Sequence, residues 1–501
     1  MQAKSETSNA PLAASAAVFV AFACCFLLAS RYRFIDGDEG FYLLSSRLVL
    51  EHKRPYLDFF YTQSPLLPYV YGLWMKFFGL TWYAGRALAA LLTAGVGLLV
   101  FQFVCRETRK LGAGVVAAAL FASSTYVFAW FPIAKTYSLS MLFLFAAYVL
   151  VARSNATHRA LGCAGLLFAL SVDVRSYVAA LMPVFLWWVW QHGEPRHRVA
   201  RAGWFLAGFA IGLLPCLYLF LLAPDQFLFN NLGFHALRSS DGLIGNWRVK
   251  VYTIRAVLFG MEDNGVQFTT LSVAALIAMA ASKARQGPAL LAFVLAVTAG
   301  LVSILPTPPF VQYFCVCMPF LIVSAVCGVS RLLDRSTARF NAVLALAMLT
   351  YAATALPSFQ RYFVTGQGVI GLKGAEDAPN WTLDRVTMVS QALDRVAAPG
   401  EQVATFWPGY VFASHAAAYP GYENFFGWLV ADQLTSAQRD LYHSGSLMQI
   451  ESDLQKHVPR IAVWGNPAPW ALEYDKVLRN NNYEPHPVAG VASIYVCCAA
   501  R

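Results

Sequence analysis

The feature that most constrains this chain is a series of long apolar runs containing no Asp, Glu, Lys or Arg. Eleven can be marked: Pro11–Ser30, Ala87–Cys105, Leu111–Phe131, Thr136–Ala152, Ala160–Val172, Ser176–Gln191, Ala202–Ala223, Asn264–Ser282, Gln286–Gln312, Tyr313–Ser330 and Phe340–Gln360. A helix crosses the hydrocarbon layer with about 20 such residues and satisfies its backbone hydrogen bonds internally. Over 501 residues, 58% are hydrophobic and 13% charged, against about 25% charged in a soluble domain. A soluble enzyme, a disordered chain and a fibrous protein are excluded. The expected class is an α-helical multi-span membrane protein of about eleven transmembrane helices. Pro306, Pro308 and Pro309 set the boundary near Gln312. The run Ala160–Val172 is short, so Asp173-Val174-Arg175 is expected to be a turn.

Charge supports this topology. The net charge is +10, and Lys and Arg collect in cytoplasmic loops of membrane proteins, so nucleic acid is not the expected partner. With the first span running outward, the inner loops hold Arg106, Arg109, Lys110, Arg153, Arg159, Arg196, Arg198, Arg201, Lys283, Arg285, Arg331, Arg335 and Arg339. The short outer turns carry Lys135 alone, the pair Asp173/Arg175, or nothing. The first run is read as a retained span, because its n-region has only Lys4 as a positive charge and no clear small-x-small cleavage site precedes Arg31. Most of the 10 Cys lie in apolar runs and read as packing residues. Adjacent Cys497 and Cys498 set no disulfide framework.

This topology puts three long segments on the outer side: 31–85, 224–263 and the tail from Ser358. The expected division is a membrane domain over 1–357 and an outer α/β domain over 358–501. In the tail, helices are expected at Leu383–Ala397, Ser436–Tyr442, Ser446–His457 and Ala468–Asn480. Strands are expected at Gln402–Phe406, Arg460–Trp464 and Val491–Cys498. Helices alternating with short strands suggest a small α/β unit.

The first outer segment contains Asp36, Asp38, Glu39 and, further on, Asp58. By spacing alone, Asp38 and Glu39 either cap a helix starting near Gly40 or form a general base or cation site. The segment 224–263 mixes Phe227, Phe229, Phe234 and Trp247 with His235, Arg238, Arg248 and Lys250. It reads equally as an aromatic, basic flap or as an interfacial amphipathic helix. Trp187, Trp188 and Trp190 read as an aromatic belt.

The ordered string Asp38-Glu39-x-x-Tyr42, His52-Lys53-Arg54-Pro55-Tyr56, Asp58-Phe59, Gln63-Ser64-Pro65-Leu66-Leu67-Pro68-Tyr69, Phe77-Phe78-Gly79 and Arg86 resembles the GT-C membrane glycosyltransferases. Within them it is most similar to the branch of the dolichyl-phosphate-mannose protein mannosyltransferases and the lipid A aminoarabinose transferases. The resemblance is best over 31–174. It implies a helical bundle with short helices on the outer face, and inverting transfer of one sugar from a polyprenyl-phosphate donor. The matching catalytic position is Asp38, with Glu39 beside it. Gln63-Ser64-Pro65 stands where many relatives have Lys-Pro-Pro, and Lys135-Thr136-Tyr137 replaces a stretch with an Asp.

The chemistry suits this. An attacking hydroxyl needs a carboxylate to take its proton, and a leaving lipid phosphate needs cations more than an acid. Asp58, Lys135, Arg175, His235 and Arg238 are the candidate substrate-binding residues. Lys135 has interfacial snorkelling as its structural alternative, and Arg175 a local pair with Asp173. No metal ligand set is read from the sequence and no cofactor is firmly implied; a divalent metal is compatible but not demanded. The expected partners are a polyprenyl-phosphate sugar, a lipid, glycan or protein acceptor, and membrane lipid. The expected location is a bacterial inner membrane with the tail in the periplasm. A transporter or flippase of polyprenyl-linked glycans is the alternative. It would want charges along the spans or two repeated halves. A non-catalytic envelope scaffold would leave Asp38 and Glu39 without a role.

Overall fold

The computed structural model describes residues 10–153, 156–192, 194–238, 242–260, 265–281, 287–333, 338–367, 378–465 and 471–498. The architecture is a multi-span helical membrane fold with a small sheet near the C-terminus. Helix α1 spans Ala10–Tyr32, α2 Gly37–Leu50, α3 Leu66–Phe78 and α4 Trp82–Thr108. Every one of the eleven apolar runs is helical over most of its length. Among the described residues, Leu12–Tyr32, Trp82–Thr108 and Val311–Leu333 are each long and apolar enough to cross a membrane. Pro195–Gly212 with Leu214–Leu222 makes a further span bent by 48°.

The other runs are shorter or broken, with local causes. Ser123 and Ser124 separate Leu111–Ala122 from Thr125–Trp130, the Ser124 hydroxyl accepting the Val127 N–H as a fresh cap. The run expected to reach Gln312 leaves the helix at Ser303, before the prolines, and a 3-10 turn opens at Val311. Helix His158–Val174 keeps Asp173 and Val174 helical, so the expected turn falls at Arg175, whose φ of −150° is extended. Trp188 is buried and donates to the Val151 carbonyl, so only Trp187 and Trp190 remain as exposed belt residues.

The described residues of 224–263 are helical except Arg238 and Gly260, the last helix being Gly242–Phe259 with Trp247, Tyr252 and Phe259 exposed. Residues 239–241 and 261–264 lie outside the described residues. Helix α3 likewise exposes Leu73, Phe77 and Phe78. An exposed apolar face of this kind suits an interfacial helix.

In the tail, strands β1 (Gln402–Thr405), β2 (Ala417–Ala418), β3 (Ile461–Gly465), β4 (Glu484–Val488) and β5 (Ala492–Val496) form one sheet of order β2-β1-β3-β5-β4. The β1 pairings with β2 and β3 are parallel, and β5 is antiparallel to both neighbours. Helix Ser436–Tyr442 has the expected ends. Leu383–Leu393 is shorter than expected, as is Leu447–Gln455. Helix Ala471–Asn480 is found, while 468–470 lie outside the described residues. Strand β4 is additional to the expected strands; it carries Pro485 and Pro487, which are tolerated at the sheet edge, where ladder N–H groups are not all required. The described cysteines are all free.

One apolar core joins α2 to the tail. It runs from Ile35, Phe41 and Leu44 through Trp82 to Val389, Val411 and Ile461.

Candidate active site

The N-terminus of α2 is fixed by Asp36, not by Asp38 or Glu39. The Asp36 carboxylate accepts the Asp38 N–H at 3.0 Å, and Glu39 Oε1 accepts the Asp36 N–H at 2.9 Å. This is a capping box, with Asp36 at N-cap and Glu39 at N3. The expected start near Gly40 is corrected to Gly37, because capping acts on the orphan amides of the first turn.

Glu39 is fully buried and saturated. Arg86 Nε donates to its Oε2 at 2.8 Å and Nη2 to its Oε1 at 2.6 Å, and the Ala134 N–H donates to Oε2 at 3.1 Å. Arg86 lies near the N-terminus of α4 and also donates to the Ser30 and Arg33 carbonyls at the end of α1. Three chain segments thus meet on one carboxylate.

Lys135 bridges the other two acids. Its Nζ lies 2.8 Å from Asp36 Oδ1 and 2.7 Å from Asp38 Oδ2. Burial pulls the Lys135 pKa down, but Asp36 and Asp38 more than offset this and hold it well above the ordinary value. Lys135 is inside the cluster, so snorkelling to the interface does not describe it. Of the three acids, only Asp38 keeps side-chain exposure, 15%. Its Oδ1 has no hydrogen-bond partner among the described residues. Burial raises its carboxyl above the usual range, Lys135 opposing and Asp36 adding.

Arg175 faces the same space. It donates to Thr136 Oγ1 and to the Tyr137 hydroxyl at 3.5 Å, and its Nε has no partner. The rings of Tyr137, Tyr177 and Tyr313 surround it at 4.3, 4.6 and 5.4 Å. A local ion pair of Arg175 with Asp173 is absent among the described residues; Asp173 is instead within interaction range of Cys216. Arg238 stacks against Phe310 and Phe426 at 5.8 and 5.7 Å and makes no ion pair among the described residues. Tyr313 is within electrostatic range of Arg175, Arg238, Asp38 and Lys135 at once, and Tyr42 of Asp38, Lys135 and Arg175. Asp38, Lys135, Arg175 and Arg238 therefore form one constellation.

His235 borders the constellation, exposed beside Phe234 and within electrostatic range of Arg238, whereas Asp58 stands apart from it. Asp58 closes an exposed turn, accepting the Arg54 N–H at 2.7 Å and its guanidinium at 3.4 Å. Sequence reading gave no site role to Tyr42, Tyr137, Tyr177 or Tyr313: Tyr42 and Tyr137 entered it only as parts of motif strings, and Tyr177 and Tyr313 lie in apolar runs, where an aromatic residue carries no separate signal. Arg33 and Arg86 were visible as charges at span ends, which are rarely idle. Among the described residues no three His, Cys, Asp or Glu side chains converge to hold a metal ion.

The fold is of the GT-C type. In particular it is similar to two crystal structures of ArnT, a lipid A aminoarabinose transferase, from Cupriavidus metallidurans. The structure bound to undecaprenyl phosphate matches with a TM-score of 0.66 at 13% identity, covering 97% of this chain and 98% of that one. The apo structure matches with a TM-score of 0.66 at 13% identity, covering 96% and 97%. No protein-family model matches the sequence, and no curated protein matches it.

Proposed function

We propose that this protein is an inverting glycosyltransferase that moves a sugar from a polyprenyl-phosphate-linked donor to a lipid, glycan or protein acceptor. The reaction lies at the outer face of a bacterial inner membrane, with the tail on that face. The carrying observation is Asp38 itself: the one acid of the cluster with side-chain exposure, paired to Lys135 and within electrostatic range of Arg238. The likeness to a GT-C structure bound to undecaprenyl phosphate supports the donor class.

Asp38 acts as the base. It takes the acceptor hydroxyl proton as that oxygen bonds to the anomeric carbon; the bond from that carbon to the phosphate oxygen breaks, and polyprenyl phosphate leaves with the electron pair. A single displacement inverts the anomeric carbon. Lys135, Arg175 and Arg238 counter the charge developing on the leaving phosphate, and His235 lies at their rim. Glu39, saturated by hydrogen bonds, positions Asp38 through the first turn of α2. Asp58 shapes the first outer segment and acts at a distance from the reacting atoms.

The flippase alternative moves the donor without breaking it. Purified protein in proteoliposomes, given a polyprenyl-phosphate sugar and an acceptor extract, separates the two. Release of free polyprenyl phosphate that is lost in Asp38→Asn is the expected result. Movement of intact donor across the bilayer without release would overturn the assignment.

A further inference from the structure

The face of α2 opposite the acid cluster is held by the tail. The Trp407 indole N–H donates to the Gly37 carbonyl at 2.8 Å, one residue from both Asp36 and Asp38. Trp407 follows β1 closely and is itself fixed, stacked on Trp82 at 5.8 Å and edge-on to Trp381 at 4.9 Å. Trp381 in turn accepts the Ile35 N–H through its carbonyl at 2.7 Å. One turn along, Gly40 meets Gly409 so closely that a Cβ on Gly40 would lie 2.8 Å from the Gly409 nitrogen. Further along α2, buried Arg47 donates to the carbonyls of Val411 and Ser414 at 3.1 and 2.6 Å through Nη1, and to that of Ala416 at 2.9 Å through Nη2. These carbonyls lie at and beyond the end of the short helix Gly409–Phe412, so Arg47 ties α2 to the chain that leaves it.

We infer that Trp407 and Arg47 are positioning residues for Asp38, and that the tail is part of the catalytic apparatus. This rests on the proposed role of Asp38 as base. The argument is geometric. The cap and the Lys135 bridge set the rotamer of Asp38 within α2, but they do not fix α2 as a body. Its axial and rotational place is set jointly by the Glu39–Arg86 pair, by packing on α3 and by the contacts on its back face, which come from the tail at both ends of the helix. A displacement of about 1 Å at a reacting group can cost up to roughly 10²-fold in rate. Neither residue touches the front of the helix, so donor affinity should not depend on them.

The test uses the full-length protein in detergent with three variants. Trp407→Phe keeps an aromatic ring on Trp82 and removes the N–H. Arg47→Met removes every donor, and Arg47→Lys restores part of them. Amide hydrogen exchange is followed over 36–41, with kcat, donor KM and Tm in parallel and Asp38→Asn as the reference. The expected result in Trp407→Phe is faster exchange confined to 36–41 and a roughly tenfold fall in kcat at unchanged donor KM. Arg47→Lys should recover part of what Arg47→Met loses. Should Arg47→Met fail to fold, Trp407→Phe alone decides. A lower Tm with kcat and exchange unchanged would make both residues merely structural and overturn the inference. If Asp38→Asn turns over normally, the base assignment fails, whatever the exchange shows. If Asp38→Asn is inactive while Trp407→Phe keeps full kcat, the base stands and the clamp fails.

Discussion

Glu39 and Arg86 form a bidentate pair sealed from water, with oxygen–nitrogen distances of 2.6 and 2.8 Å and both side chains at most 1% exposed. The pair ties α2 to α4 and, through Arg86, to the end of α1. Removing one partner leaves an uncompensated buried charge, which costs about 3–5 kcal/mol. Glu39→Gln is therefore expected to lower the yield and Tm of folded protein, whereas Asp38→Asn leaves Tm near wild type. Thermal unfolding of the two variants side by side checks this.

Asp38→Asn cannot accept a proton and should lower transfer by about 10²–10⁴-fold. A cap role at Asp38 would predict little change, since Asn is a good cap, but the cap is Asp36. The pH profile gives a second readout. Burial raises the Asp38 pKa, and a base works only when deprotonated. The acid limb of kcat/KM should therefore fall away at a higher pH than an ordinary carboxylate would give. An acid limb at or below the usual carboxylate range would count against Asp38 as the base.

Arg175 presents a guanidinium with an unpartnered Nε inside a ring of tyrosines. Arg175→Ala is expected to weaken undecaprenyl phosphate binding by at least tenfold, consistent with about 1.5–3 kcal/mol for a hydrogen bond to a charged group. Arg175→Lys should fall between, keeping charge but losing the planar fork. Equal affinity in all three proteins would remove Arg175 from the phosphate site.

Glu423 in the tail is 5% exposed, and burial pushes its pKa up to about 7. Its native state then binds a proton that the unfolded chain releases near the ordinary carboxylate range. Stability should be highest below that range and decline as pH rises towards about 7, by at most about 3 kcal/mol. Glu423→Gln should flatten this slope. Tm measured from pH 5 to 8 in both proteins makes the comparison.

The outer placement of the tail is testable by thiol labelling. In a background with exposed Cys498 replaced by Ser, a cysteine at exposed Ser436 should react with an impermeant reagent on intact cells. One at exposed Arg159 should react only after lysis. Ser446 is a poor probe because it is buried and its hydroxyl caps helix Leu447–Gln455. Ser154 and Ser239 lie outside the described residues.

The membrane fold was legible because a charge-free apolar run has few places to go but a spanning or buried helix. The eleven runs, the start of Leu383–Leu393 and strands β1, β3 and β5 could be read that way. The acid cluster was legible as a cluster, from three carboxylates within four residues beyond α1. Their division of labour was not. That Asp36 caps, Glu39 pairs with Arg86 and Asp38 alone keeps some side-chain exposure depends on partners 47 and 99 positions away in the chain. Local spacing treats Asp38 and Glu39 as equals; burial separates them, because a buried carboxylate must find donors and only the packed bundle decides where those donors are. The same holds for the tail. Its sequence implied an α/β unit, but only packing placed the end of β1 against the back of α2, since a contact between Gly40 and Gly409 leaves no mark on either stretch of sequence alone.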